Sequence, residues 1–213
     1  MKRNDLSVIY YTSNLEKPEF EEKIRGELLK VIGDLPLISV SQKPINFGHN
    51  ICVGRIGASY KNEYVQLLKG CQEAKTKFII VAEADCLYPP EYFTFVPLTE
   101  HCYRYSNVWI LQEWIGKLTG SGFRKKRYSD CAQIVGREYM IDQIERHLNH
   151  PESNRVIYTE LEYSWETKNP VINIKTEDGG MNKYTGIMRW IKPEDSLPYW
   201  GEAIKLRERL FKI

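Results

Sequence analysis

The stretch at residues 77–90, KFIIVAEADCLYPP, constrains the fold more than any other part of the chain. Its uncharged run, Phe78 to Ala82, suits a strand covered on both faces, as in a parallel sheet. The strand stops at an acid–x–acid step, Glu83-Ala84-Asp85, and the Pro89-Pro90 pair keeps it from continuing. Ligands of open α/β sheets sit at the carboxyl ends of the strands. Two carboxylates at that position are badly placed for a core and well placed for a metal-bound phosphate. Residues i and i+2 of an extended segment share a face, so Glu83 and Asp85 can reach one nucleotide. The plainer alternative is a strand that ends in two solubilising acids.

The residues upstream supply a sheet around this strand. Residues 6–11 (LSVIYY) read as a first buried strand, closing on the turn residues Thr12-Ser13-Asn14. Residues 19–31 read as a helix, with Phe20, Ile24, Leu28 and Val31 at helical spacing, Pro18 in its first turn and Gly33 at its end. A second strand follows at 35–41, and a second helix at 59–74 with Tyr60, Tyr64, Leu67, Leu68 and Cys71 on one side. This β-α-β-α-β alternation implies parallel strands with right-handed crossovers. Neither GxGxxG nor GxxxxGK[ST] occurs, so the dinucleotide and P-loop fingerprints are missing.

Past Pro90 the pattern loosens. Residues 107–112, 131–135 and 171–175 read as strands, and 138–148, 159–167 and about 199–211 as helices. Residues 118–129 (LTGSGFRKKRYS) and 177–186 (EDGGMNKYTG) read as loops. No repeat or low-complexity linker divides the 213 residues, so one domain over 1–213 is expected, with a nucleotide-binding half to about 90 and an acceptor half after it. The net charge of +2 gives no global pull toward nucleic acid or membrane. Five scattered cysteines without a CxxC pair argue against a disulfide framework or a thiolate zinc site. No stretch approaches the roughly 20 apolar residues that cross a bilayer, and a cytoplasmic protein is expected. His49, His101, His147 and His150 show no metal-ligand spacing.

On the segments SVIYYTSN and FIIVAEAD, with the helix and strand between them, the chain resembles family 2-type glycosyltransferases of the GT-A fold. The resemblance covers roughly residues 6–90 and is looser beyond. It implies an α/β, Rossmann-like, mostly parallel sheet flanked by helices. It also implies a Mn²⁺- or Mg²⁺-dependent, inverting transfer of sugar from a sugar nucleotide to a hydroxyl. By this resemblance Thr12 and Asn14 line the base pocket, Glu83 lies near the ribose, and Asp85 holds the metal. The chain departs from the family's usual motif in carrying Glu83 in place of aspartate, and Leu67-Leu68 where many members have Arg-Asn.

Further candidates follow from the acceptor half. Glu160, with Glu162 as the alternative, matches the acidic pair near the acceptor, where a carboxylate deprotonates the attacking hydroxyl; a plain acidic helix is the other reading. Asp178 follows a late strand, where related transferases often carry a metal-binding histidine. Lys183 and Thr185 of the same glycine-rich loop could neutralise the leaving diphosphate. The run Arg124-Lys125-Lys126-Arg127, flanked by Phe123 and Tyr128, suits phosphate contact, and it admits DNA carrying a modified base as the acceptor. Two rivals stand beside the transferase: a nucleotidyltransferase on a similar scaffold, and a non-catalytic nucleotide- or nucleic-acid-binding module.

Overall fold

The computed structural model describes residues 5–112, 122–126, 129–150, 162–176, 178 and 193–211. The chain begins β1 (Leu6–Thr12), α1 (Pro18–Ile32), β2 (Leu37–Ser41), β3 (His49–Cys52), α2 (Tyr60–Glu73) and β4 (Phe78–Glu83). It continues with β5 (Cys86–Leu87), a 3₁₀ turn (Pro90–Thr94), β6 (Cys102–Tyr105), β7 (Val108–Gln112), β8 (Arg124–Lys125), β9 (Gln133–Gly136) and α3 (Arg137–Leu148). The last elements are β10 (Glu162–Trp165), β11 (Val171–Lys175), β12 (Ser196–Leu197), β13 (Gly201–Glu202) and α4 (Ala203–Phe211).

Seven strands form the central sheet in the order β10-β6-β9-β4-β1-β2-β3. All its pairs are parallel except the two made by β9. This is the expected α/β class, a mostly parallel sheet flanked by helices. The uncharged run behaves as its composition dictates: Ile79, Ile80, Val81 and Ala82 of β4 have no exposed surface. One face packs Val8, Tyr10 and Ile80 against Leu28 and Ile32 of α1. The other packs Ile9, Ile79 and Val81 against Tyr64 and Leu67 of α2 and Ile144 of α3. Helix α2 lies unusually close to β1, because a Cβ at Gly70 would stand 2.5 Å from Ile9 Cγ2.

A second sheet, in the order β5-β11-β7-β8, grows from the end of the first. Its outer face carries Leu87, Leu111, Phe123, Ile172 and Ile174, which pack on Phe20 and Ile24 of α1 and on Leu206 and Leu210 of α4. Helix α1 therefore serves both sheets, with Leu28 and Ile32 on one and Phe20 and Ile24 on the other. Among the described residues no helix is long and apolar enough to cross a membrane.

Three readings from sequence change. Residues 49–52, given no element from sequence, form the edge strand β3; it follows Gly48, whose φ of 57° and close approach to Leu37 suit glycine alone. Residues 162–165, expected inside a helix, are strand β10, because Tyr163 and Trp165 pair across the ladder with Tyr103 and Tyr105. Such cross-strand aromatic pairs stabilise a sheet more than a helix surface could. The expected terminal helix begins only at Ala203, after the β12–β13 hairpin.

Candidate active site

The parallel strands β1, β2 and β4 finish at one edge with Thr12, Ser41 and Glu83. Strand β9 runs the other way, so the residues leading into it, Asp130 and Cys131, arrive at that same edge. Tyr88 ties the two together: its hydroxyl accepts from the Glu83 N–H at 2.9 Å and donates to the Cys131 carbonyl at 2.7 Å. Helix α2 contributes Glu63.

Tyr11 stands between two carboxyl groups. Its hydroxyl lies 2.6 Å from Glu83 Oε1 and 3.1 Å from Glu63 Oε1. A phenol has one proton to donate, so when both contacts are hydrogen bonds one carboxyl must carry its own proton. The electrostatics agree. Burial, reinforced by the Asp130 charge, pushes Glu63 up to about 8. Burial and the charges of Cys131 and Asp85 hold Glu83 well above the usual carboxylate range. Both carboxyls therefore hold a proton more strongly than an ordinary carboxylate does.

Asp85 turns the other way, toward the second sheet. Its Oδ2 accepts from Asn173 Nδ2 at 2.9 Å and lies 3.8 Å from Lys175 Nζ, while the Cys86 thiol is 3.4 Å from Oδ1. The Asp85 carbonyl accepts from the Ile174 N–H at 2.7 Å. The acid–x–acid step is therefore where the chain leaves one sheet and enters the other.

The register of the second sheet fixes its inner face. Cys86 pairs with Asn173, Asn173 with Ile110, and Ile110 with Arg124, so these four side chains share a face. Lys175 lies two residues beyond Asn173 and Lys126 two beyond Arg124, so both join that face. The ladder reaches Lys126, whose N–H donates to Val108 O at 2.9 Å. Lys125 points oppositely, 3.0 Å from Asn107 Oδ1 and over the Trp109 ring.

The basic run expected to be a loop is thus partly the strand β8, with alternate side chains turned inward. Arg124 is buried, and Lys126 donates to Ser129 Oγ at 3.1 Å. Burial pulls the Lys126 amine down, but the opposing charges of Cys131, Asp130 and Glu83 outweigh it and push it up. The Cys131 thiol is lowered to about 7, chiefly by the Cys86 thiol hydrogen bond and, against burial, by the Lys126 charge. Arg124, Lys125 and Lys126 do not form one continuous basic surface of the kind that tracks a nucleic-acid backbone.

The remaining candidates are placed unequally. Thr12 Oγ1 donates to Glu21 Oε1 at 2.7 Å and accepts from the Asn14 N–H at 2.9 Å. Asn14 Oδ1 accepts from the N–H groups of Gln42 and Lys43 at 2.9 and 2.8 Å. Both side chains shape the turn after β1 and are engaged in doing so. Asp178 is exposed and pairs with Lys17 at 3.5 Å. Glu160, Lys183, Thr185 and Arg127 lie outside the described residues, as does the side chain of Glu162. The backbone of Glu162 pairs with Cys102, and the next row, Tyr163–Tyr103–Ile134, is level with Ile80. Glu162 therefore starts about four residues, roughly 13 Å, short of Glu83 along the strand direction.

Sequence reasoning missed Tyr11, Glu63, Asp130, Cys131, Asn173 and Lys175. Two signals were present: Glu63 interrupts the apolar stripe of α2, and VINIK alternates so that Asn173 and Lys175 share the polar face.

Among the described residues, one atom each of Glu83, Cys86 and Cys131 lie within 4.8 Å of one another. Two thiols and one carboxyl whose proton is held more strongly than usual make a soft donor set, whereas Mg²⁺ and Mn²⁺ take oxygen ligands. Asp85 faces Asn173 and Lys175 instead. These residues do not fit a hard divalent cation.

No protein-family model matches the chain, and no curated protein sequence matches it. Solved structures do. A glycosyltransferase involved in the glycosylation of the major capsid of PBCV-1 is similar over 98% of this chain and 99% of its own, with a TM-score of 0.51 at 7% identity. The inositol-1-phosphate CTP transferase from T. maritima is similar over 95% and 96%, with a TM-score of 0.50 at 8% identity. Identities this low establish the fold alone, a glycosyltransferase-like α/β fold that nucleotidyltransferases also use.

Proposed function

We propose that this chain is a glycosyltransferase that moves a sugar from a sugar nucleotide onto an acceptor hydroxyl. One observation carries the reading: the carboxyl groups at the strand ends adjoin the face of the second sheet that carries Arg124, Lys126 and Lys175, with Lys175 3.8 Å from Asp85, at the edge where α/β folds bind nucleotides. In the transfer, the acceptor oxygen attacks the anomeric carbon and the bond from that carbon to the diphosphate oxygen breaks. The electron pair leaves on the diphosphate, and the hydroxyl proton passes to a carboxylate base. A single displacement inverts the anomeric centre. In this reading Glu83 orients the nucleotide, the turn at Thr12 and Asn14 borders the base, and Lys183 and Thr185 are assigned to neutralise and hydrogen-bond the leaving diphosphate. Glu160 is the proposed base. The start of β10 leaves Glu162 far from Glu83, so Asp130, whose charge acts on Glu63, Glu83 and Lys126, is the alternative.

Nucleotidyl transfer is the second reading, favoured by the fold shared with the T. maritima enzyme. It would use the same cleft to attack an α-phosphate. Incubation with a panel of sugar nucleotides, following nucleoside diphosphate release, separates the two. Hydrolysis of one donor, lost in Asp85→Ala, is expected. Pyrophosphate release from a nucleoside triphosphate would instead establish the second reading. Turnover of neither, with nucleotide binding intact in Asp85→Ala, would leave a binding module.

A further inference from the structure

We infer that the diphosphate of the nucleotide is held by a fixed row of protein cations, Arg124, Lys126 and Lys175, and that this chain needs no divalent ion to bind it. The inference rests on the nucleotide reading above and specifies how that site handles charge.

Three observations converge on it. First, the sheet register puts the three cations on one face, the face that looks onto Glu83 and Asp85. Lys126, level with Val108, and Lys175, level with Gln112, lie on either side of the row Arg124–Ile110–Asn173, about 13 Å apart along the strands and about 10 Å across them. The two lysines thus flank Arg124 from opposite sides, and a diphosphate centred on the guanidinium has one of them toward each end.

Second, Arg124 is 8% exposed, and its Nε and Nη1 have no hydrogen-bond partner among the described residues. A buried guanidinium with two orphan N–H groups is costly unless something accepts from it. Its planar fork matches a phosphate in a bidentate contact. Asn173, in the same cross-strand row with Ile110 between, is 1% exposed, and its Oδ1 also lacks a partner among the described residues. The inner face thus carries buried polar atoms that no described residue satisfies.

Third, the carboxylates that a bridging cation would need are already matched to protein groups. Asp85 has Asn173 and Lys175, and Glu83 has Tyr11. Lys175 Nζ, 3.8 Å from Asp85 Oδ2, already supplies the positive charge beside that carboxylate. Asp85 acts here as a positioning residue, holding Lys175 at the cleft.

The test measures binding of nucleoside diphosphates (UDP, GDP, CDP and ADP) by calorimetry and melting shift, once in EDTA and once in Mn²⁺ or Mg²⁺. The diphosphate that binds is expected to do so in EDTA with a Kd within about threefold of its value with metal. In EDTA, Lys175→Gln and Arg124→Gln should each weaken it about tenfold or more, the scale of a lost charge-assisted hydrogen bond. The side chain of Lys175 is 18% exposed, so its variant is expected to fold even where Arg124→Gln does not. Full affinity in folded Lys175→Gln overturns the inference. Binding that appears only with metal, or tightens a hundredfold with it, also overturns it while the nucleotide reading stands. Binding in neither condition overturns both.

Discussion

The two sheets are built in opposite ways. The parallel core of the large sheet, β1 to β4, comes from 78 consecutive residues (6–83) of strand and helix in alternation. The small sheet gathers β5, β7, β8 and β11 from residues 86 to 175, and two of those strands are only two residues long. The first sheet brings acids to its edge and the second brings cations to its inner face. Neither alone makes a site for a nucleotide diphosphate. The proposed site is a property of their junction, and the junction is the step from Glu83 to Asp85.

The largest expected effect lies at that junction. Asp85→Asn removes the charge facing Lys175 while keeping the shape of the side chain. Donor turnover should fall about 10²- to 10³-fold, the scale of losing one preorganised electrostatic group. Asp178→Asn, at an exposed pair with Lys17, should stay within about threefold. Nucleoside diphosphate release by the two variants, measured side by side, sets one carboxylate against the other. Equal losses would restore Asp178 as a partner of Asp85 and break the contrast drawn between them.

The next comparison sets one core against the other. Ile80 is fully buried in the large sheet and Ile174 in the small one. Truncating either to alanine should cost about 3 kcal/mol, a fall of roughly 6–12 °C in melting temperature for a chain of this size. If residues 1–213 fold as one domain, both variants shift the same single calorimetric transition. Two separate transitions in Ile174→Ala would show that the small sheet melts on its own.

This contrast also explains what was legible in the sequence. In the large sheet each strand carries its own evidence: LSVIYY and FIIVA are uncharged runs, and α1 and α2 repeat apolar residues at helical spacing. Local pattern and tertiary role agree there. The acid pair was visible because charge at the end of such a run has no role in a core. In the small sheet the evidence is relational. Arg124 and Lys126 look like a solvated loop until β7 pairs with them and turns alternate residues inward. Lys175 looks like the ordinary end of VINIK until β5 brings Asp85 to it. Residues 159–167 read as a helix candidate, whereas the aromatic ladder of Tyr163 and Trp165 with Tyr103 and Tyr105 decides for strand at 162–165. Pairing between distant segments cannot be read from periodicity within either one.

A smaller effect, on pH dependence, probes the acid side of the junction. The Glu63 carboxyl is raised to about 8 by burial and by Asp130. A carboxyl raised on folding stabilises the native state below its unfolded value, near 4.3, and that contribution is lost as pH climbs through the folded value. Melting temperature should therefore decline as pH rises from about 5 to 8. Glu63→Gln, which keeps a polar partner for Tyr11 without the titration, should flatten that decline. An unchanged slope in the variant would place the proton elsewhere.

The smallest effect tests how α2 delivers Glu63 to the edge. Ser59 caps the helix, its side chain accepting from the Asn62 N–H at 3.2 Å. The Asn62 side chain in turn donates to the carbonyls of Ile56 and Gly57, while Gln42 Oε1 accepts from the N–H groups of the same two residues at 3.0 Å. The helix start and the loop before it are thus one hydrogen-bonded unit anchored to the end of β2. Ser59→Ala should cost about 1 kcal/mol, some 2–4 °C. Because Gln42 and Asn62 still hold the loop, and Gly70 still sets α2 on β1, Glu63 should keep its place beside Tyr11. The pH slope should then survive in Ser59→Ala at a lower melting temperature. If the slope vanishes with the cap, Glu63 depends on the helix end and not on the close packing of α2 against the sheet.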